Sequence, residues 1–493
     1  MSKVFVMGID GGSFDLIRKW KNDLPNFSKL IDQGTSGYLH TIVPMLTPPA
    51  WTSFFTGKNP GKHNIFDFFK IKNYNKELVS SYDRKTSTIC DVLSMNNKRS
   101  IILGMPANYP PQPFNGIMVC AGDTPSLESD FTYPKEFKNK IFELNPDYKI
   151  GPDLTYLEYK KYDEFLIDLY KVTDYHKNLI LYLMKNEEWD LFMGIFEDVD
   201  RLQHYFWRFM DPDHPEYEKG NKFENAIHDY YIKLDNILGE IKEKLDDAVI
   251  FIVSDHGFGP LYKQIFVNNL LMNKNLLKLK EGKEKNNVDI KNFLIKLTYK
   301  LKIKHLISRL PEKTRINLRK IIPSKNPDFL DIDWDNTKAY FNSYSGQYLM
   351  INLKGRDENG IVEEKEYTKL LNLIKKELFE LNDNGKKVIK KVYFGNELFK
   401  GDNLKVAPDL FVITEDGYIL QEGFNSKLID FFDKSKNYRS GEHRDNGILI
   451  IGGSNVKNKS IDASLLDVFP TILFVLNVEI PEDIDGKLIN CFN

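Results

Sequence analysis

At 493 residues with 42% hydrophobic composition, the chain can bury a large core, and its length corresponds to one very large domain or two to three ordinary ones. A formal charge of -2 gives no ground for expecting a nucleic-acid partner. Cys90, Cys120 and Cys491 lie far apart without a CxxC pair, so they indicate neither a disulfide framework nor a zinc-thiolate site and favour a reducing, cytoplasmic setting.

The first apolar run, VFVMGID (4–10), has no basic segment before it and ends in Asp10, so it reads as a core strand and not as a signal peptide. The glycines of GIDGGS do not make G-x-G-x-x-G spacing, and GKNPGKH (57–63) has neither the length nor the Ser/Thr of a Walker loop. Asp10 is left as a metal ligand or as the cap of the next helix. Thr47 lies in MLTPPAWTSFFTG, where Pro48 and Pro49 stiffen the backbone. From this segment alone it is an ordinary loop or capping threonine, with Thr52, Ser53 and Thr56 as competitors for any nucleophilic role. Asn108, in GMPANYPP, is a candidate substrate contact.

Strand-like runs alternate with amphipathic stretches at 165–188 and 223–245, as βαβ units do. LFMGIFEDVD (191–200) leads into D-x-x-x-H, which puts Asp200 and His204 on one face of a helical turn. A surface carboxylate with an i,i+4 histidine has the same spacing. In AVIFIVSDHG (248–257), Asp255 and His256 are neighbours that point apart on an extended chain, so both serve one site only if the chain turns, which Gly257 permits. A helix-capping Asp beside an incidental His is the alternative.

Composition shifts after Gly259-Pro260, and residues 273–325 are rich in Lys and Asn. The stretch 292–310 has the pattern of a basic amphipathic helix, fitting either peripheral membrane contact or a lid packed on the core. A β-type segment (339–353), a helical one (366–380) and a strand (386–394) follow, and APDLFVIT (407–414) reads as a return to the core, which finishes with a helix around 464–476. The run 465–480 is broken by Asp467, Pro470 and Asn477, so no spanning helix is expected. His443 precedes the run GILIIGG and by itself is more often structural. Arg444 could hold a phosphate oxygen bidentately or pair with a surface carboxylate.

The expected fold is α/β, a mostly parallel sheet flanked by helices, with core segments 1–261 and 403–493 and an inserted α+β cap at 262–402. Asp10, Thr47, Asp200, His204, Asp255, His256 and His443 all stand at or just past the end of an apolar run. Ligands of open α/β sheets bind outside the carboxyl ends of the strands, and carboxylates, imidazoles and a hydroxyl gathered there could hold two metal ions of a hydrolytic site. All seven lie outside the insertion, which is therefore expected to set substrate choice and not chemistry.

GIDG with Asp10, TPPAWTSFFTGKNPGKH with Thr47, D-x-x-x-H, S-D-H-G and G-x-H, in this order, resemble the alkaline phosphatase superfamily, and most of all its type I phosphodiesterase and nucleotide pyrophosphatase branch with a related group of phosphohydrolases and phosphomutases. The resemblance spans nearly the whole chain and includes the closing DVFPTILFVLNVEIPEDIDGKLI. It implies an alkaline phosphatase-like core, Thr47 as nucleophile, Asp10, Thr47, Asp255 and His256 around one divalent ion, and Asp200, His204 and His443 around another. Zinc suits these ligands best and manganese is admitted. The implied reaction is hydrolysis of a small phosphate ester or diester through a phosphothreonine. Thr47 and Trp51 where sulfatases carry Cys or Ser and Arg argue against a sulfatase. Phosphoglycerate mutases use Ser and place their large extra domain before D-x-x-x-H, unlike this chain. Nucleotide pyrophosphatases place a phosphate-holding Asn where this chain has Phe68, which puts nucleotide specificity in question. Transfer to a second hydroxyl, as in a phosphomutase, is the rival within the superfamily. A non-catalytic protein binding a partner or membrane is the rival outside it.

Overall fold

The computed structural model describes residues 3–72, 74–245, 247–280 and 331–493. The basic stretch 292–310 lies outside them. A ten-stranded sheet is built around five parallel strands in the spatial order Ala248–Val253, Lys3–Ile9, Leu191–Phe196, Ser100–Met105 and Gly116–Cys120. Their nearly unbroken apolar sequences follow from burial on both faces: Val4, Phe5, Val6, Met7, Phe192 and Phe251 are all 0% exposed. Asn446–Gly452 continues the sheet antiparallel to Ala248–Val253 and pairs in turn with Thr35–His40. Helices flank the sheet, among them Tyr162–Asn186 and Ala226–Lys242 where amphipathic periodicity places them. The α/β architecture, mostly parallel, is as expected.

A second apolar cluster runs from Ile265 to Leu420 and includes Phe66. Its sheet has the order Ala339–Tyr340, Tyr348–Ile351, Leu410–Thr414, Ile389–Phe394, all antiparallel, and Glu364–Phe379 packs on it. The run 407–414 thus pairs within this smaller sheet instead of rejoining the large one. Its Leu-Phe-Val-Ile core suits a buried strand of either sheet, and pattern alone does not say which. The strand Gly257–Ile265 belongs to both regions: its first half pairs with Gly441–Arg444, its second with Gly417–Leu420 and Ile429–Phe431. Among the described residues no helix is long and apolar enough to cross a membrane, and the three cysteines are free and buried.

Candidate metal centre

Three carboxylates meet because three strands are neighbours. Lys3–Ile9 lies between Leu191–Phe196 and Ala248–Val253, in register such that Ile9 pairs with Phe196 and Gly8 with Val253. Asp10, Asp200 and Asp255 follow the ends of these strands and so emerge at one edge of the sheet. Asp10 does not cap the next helix, since that N-cap is Ser13. Asp200 is in the first turn of the helix Asp198–Met210, and His204, one turn on, brings Nε2 to 3.4 Å from its Oδ2. His443 enters through the pairing of Phe258 with His443, which sets it beside His256, the two rings stacked with centroids 3.8 Å apart. Gly257 serves here by clearance: a Cβ at this position would lie 2.1 Å from the Asn446 carbonyl oxygen.

All three imidazoles turn Nδ1 to a backbone carbonyl: His204 to Gly441 at 2.8 Å, His443 to Met45 at 2.8 Å and His256 to Gly257 at 3.2 Å. A carbonyl only accepts, so Nδ1 carries the proton and Nε2 presents a lone pair inward. His443 Nε2 is 3.0 Å from His204 Nε2 and 3.1 Å from Asp200 Oδ1. His256 Nε2 is 3.2 Å from Asp255 Oδ2 and 3.7 Å from Asp10 Oδ1. Lone pairs so close repel unless a proton or a metal ion lies between them. Asp200 Oδ1 and Asp255 Oδ2 are buried without a hydrogen-bond donor. The remaining carboxylate oxygens are partly held in place, Asp10 Oδ2 by Trp51 Nε1 at 3.0 Å and Asp255 Oδ1 by Gly11 N–H at 3.1 Å. Three overlapping groups have ligand atoms close enough for a common cation: Asp10, Asp255 and His256; Asp200, His256 and His443; His204, Glu442 and His443.

Burial drives the protonation states. It raises Asp10 and Asp255 well above the usual carboxylate range, with Asp255 and Asp200 adding to the rise at Asp10. It lowers His256 well below the usual imidazole range and His204 to about 4. Burial opposes the outcome at two positions: Asp200 is lowered because His204 and His443 outweigh it, and His443 is raised because Glu442 and Asp200 do. Acceptors packed this densely are the donor set a divalent cation requires.

Thr47 is the first residue of the helix Thr47–Thr56, and its Oγ1 lies 3.4 Å from both Asp10 Oδ1 and His256 Nε2. The competing hydroxyls are farther along the helix and sealed off. Thr56 donates to the Thr52 carbonyl, and Ser53 bonds His63 Nε2, whose Nδ1 accepts from Ile65 N–H, so the ring is a donor to Ser53 and not its base. Asn108 stands apart from the cluster, its Oδ1 accepting from Arg84 and its Nδ2 donating to the Pro106 carbonyl. Arg444 pairs with Asp416 at 2.7 Å and donates to the carbonyls of His443 and Pro260, so it braces the strand carrying His443. Glu442 and Arg439 were not legible as site residues. Glu442 adjoins His443 in SGEHR, and a carboxylate beside a proposed ligand was the available signal; Arg439 lies 3.8 Å from Glu442 and donates to Tyr344 Oη at 3.0 Å.

The sequence profile of the type I phosphodiesterase/nucleotide pyrophosphatase family matches residues 4–445. No curated protein matches the sequence. Among solved structures, human ectonucleotide pyrophosphatase/phosphodiesterase 5 is similar with a TM-score of 0.55 at 14% identity, over 99% of this chain and 97% of that one. The murine protein gives a TM-score of 0.54 at 12% identity, over 97% of this chain and 96% of that one. An inactive variant of the murine protein, in complex with AMP, gives a TM-score of 0.53 at 11% identity, over 98% and 96%. The chain therefore belongs to the type I phosphodiesterase/nucleotide pyrophosphatase family, a metal-dependent family of phosphoric ester hydrolases.

Proposed function

We propose that the protein is a two-metal phosphodiesterase in which Thr47 is the nucleophile. The observation that carries this reading is the position of Thr47 Oγ1, 3.4 Å from both Asp10 and His256 beside a cluster of inward-facing acceptors. Asp10, Thr47, Asp255 and His256 would hold one divalent cation and Asp200, His204 and His443 a second, zinc best and manganese next by ligand type. Bound there, such ions would supply positive charge against a threonine alkoxide and the leaving oxygen. Thr47 Oγ1 loses its proton and attacks phosphorus in line, a P–O bond to Thr47 forms, the bond to the leaving alkoxide breaks, and that alkoxide takes up a proton to leave as the alcohol. Water then attacks the same phosphorus, the bond to Thr47 breaks, and the hydroxyl is regenerated. Of the first three helical residues only Thr47 carries an amide N–H, and the positive end of the helix dipole favours the negative charge that develops there. The substrate is a small phosphate ester, and Phe68 in place of a phosphate-holding amide keeps the reading short of a nucleotide.

The test is a substitution series with chemical trapping. Thr47→Ala is expected to lose turnover by orders of magnitude with metal still bound, Thr47→Ser to keep part of it, and Thr52→Ala to stay near wild type. Acid quenching during turnover is expected to leave the phosphoryl group, still carrying the non-leaving alcohol when the substrate is a diester, on the peptide containing Thr47. An active Thr47→Ala, or phosphate on Thr52 or Ser53, overturns the nucleophile assignment.

A further inference from the structure

Among the described residues, Gln347 of the inserted segment is bonded to a core residue that also holds His443. Gln347 precedes the strand Tyr348–Ile351 of the smaller sheet, and its amide bonds both backbone polar groups of one core residue, Met45. Met45 N–H donates to its Oε1 at 2.8 Å, and its Nε2 donates to the Met45 carbonyl at 3.1 Å. That carbonyl is the one receiving Nδ1–H of His443 at 2.8 Å, and Met45 lies two residues before Thr47. Gln347 is 7% exposed and Met45 9%, so water is a poor substitute for either partner. The loop carrying Gln347 is itself pinned to the core: Asp67 Oδ2 accepts from Tyr344 N–H at 3.1 Å and from Ser345 N–H at 3.4 Å.

We propose that Gln347 is a positioning residue of the catalytic centre. It fixes the Met45 peptide, and through it the His443 ring and the start of the Thr47 helix, so that seating of the insertion and assembly of the ligand set are one event. The proposal rests on the two-metal reading above. The direction in which His443 presents Nε2 is set by the partner of its Nδ1, and a carbonyl on a residue whose N–H and C=O are both bonded to Gln347 holds that direction more narrowly than one on a free loop. Loss of the amide leaves a buried Met45 N–H without an acceptor and releases the segment to turn. The insertion then contributes to chemistry as well as to substrate choice, although it holds none of the seven proposed ligands.

The structure supplies a matched control. Asn268 bonds both backbone polar groups of Phe341 in the same way, Nδ2 donating to its carbonyl at 3.1 Å and Oδ1 accepting its N–H at 2.9 Å, and it makes no hydrogen bond to Met45 among the described residues. Wild type, Gln347→Leu and Asn268→Leu are stripped of metal and titrated with zinc against a chromophoric chelator, with thermal midpoints measured in parallel. Both variants are expected to melt lower. Gln347→Leu alone is expected to bind zinc about 10-fold more weakly, the low end of the range for lost outer-shell partners because the Met45 carbonyl itself remains, and to lose kcat on bis(p-nitrophenyl) phosphate with KM little changed. Equal zinc affinity in wild type and Gln347→Leu, or matching losses in both variants, overturns the proposal and leaves the two-metal reading standing; a wild type that binds no zinc overturns both. If Gln347→Leu does not fold, hydrogen exchange of the wild type decides. Zinc is expected to slow exchange in the peptides containing Met45 and Gln347 together, and slowing confined to the Met45 peptide overturns the proposal.

Discussion

Thr47 and Thr52 belong to one helix, yet only Thr47, at its first position, reaches the carboxylate and imidazole cluster. Arg439 is the residue whose surroundings point to substrate. Its guanidinium lies over the Tyr344 ring at 5.5 Å, next to Phe68, whose ring centroid is 5.1 Å from that of Tyr344, and its side chain is 31% exposed. A cation with a solvent-facing edge beside the ligands is placed to attract the non-transferred part of an anionic substrate. Arg439→Ala is expected to raise KM for a phosphate ester roughly tenfold, a change of about 1.4 kcal/mol, with kcat little altered; steady-state kinetics at fixed ionic strength read this, and an unchanged KM removes Arg439 from substrate binding. Asp10, Asp200 and Asp255 were legible because a carboxylate after an apolar run is conspicuous, whereas Thr47 and His443 were indicated only by the ordered motifs of the family resemblance. Gln347, Glu442 and Arg439 were not legible, because a glutamine or arginine outside such a run acquires meaning only from tertiary contacts. Asn108 shows the converse: an amide that looked available is already engaged by Arg84 and Pro106.

The helix Thr47–Thr56 is held at both ends. It stops at Gly57, where φ is +67° and a Cβ would come within 2.8 Å of the Phe469 ring, so glycine is required for conformation and for space. Beyond it, Asp485 N–H donates to the Gly57 carbonyl at 2.9 Å, and the Asp485 carboxylate accepts from Asn59 N–H at 2.8 Å and from Lys62. Asp485→Ala strands these donors and is expected to cost about 1 to 3 kcal/mol, read as a lower melting temperature with zinc affinity retained; unchanged melting would show the tail to be a passive cover. Asp67, which docks the loop before Tyr348–Ile351, makes stability depend on pH. Burial raises it to about 6 against the pull of hydrogen bonds from Tyr348 and the backbone. Because the folded value exceeds the unfolded one, its contribution is complete below pH 4 and is lost as pH rises through 6. Melting temperature is expected to fall over that interval by the equivalent of about 2 to 3 kcal/mol, less steeply in Asp67→Asn; an identical slope in the variant refutes the assignment. Sequence periodicity located the helices well, since 366–380 and 165–188 correspond to Glu364–Phe379 and Tyr162–Asn186. It did not locate the partner of 407–414, because strand pairing is non-local information that a short apolar run does not contain.

At the scale of the whole molecule, the proposed ligand set draws on residues from 10 to 443, and a cation bound there would stabilise every segment that contributes a ligand. Chelation is expected to lower the melting temperature, and zinc at 100 times its Kd to restore about 2.7 kcal/mol; calorimetry with and without chelator decides, and identical traces would place metal outside the folded core. The general architecture was readable from alternating strand and helix patterns and an inserted α+β segment from the shift in composition, whereas the packing of Phe66 and of 407–414 into that second core was not, since composition marks where a segment changes character and not what it packs against. The pairing of Asn446–Gly452 between Thr35–His40 and Ala248–Val253 has a further consequence. During synthesis the strand Thr35–His40 waits some four hundred residues for its partners, since every strand it pairs with lies beyond residue 445. Until then a nascent chain offers two unsatisfied strand edges and a carboxylate cluster lacking His443. The candidate centre and the sheet are therefore expected to close together once residues 443 to 464 are made, and a chain stalled before that point is expected to be prone to aggregation through its open strand edges.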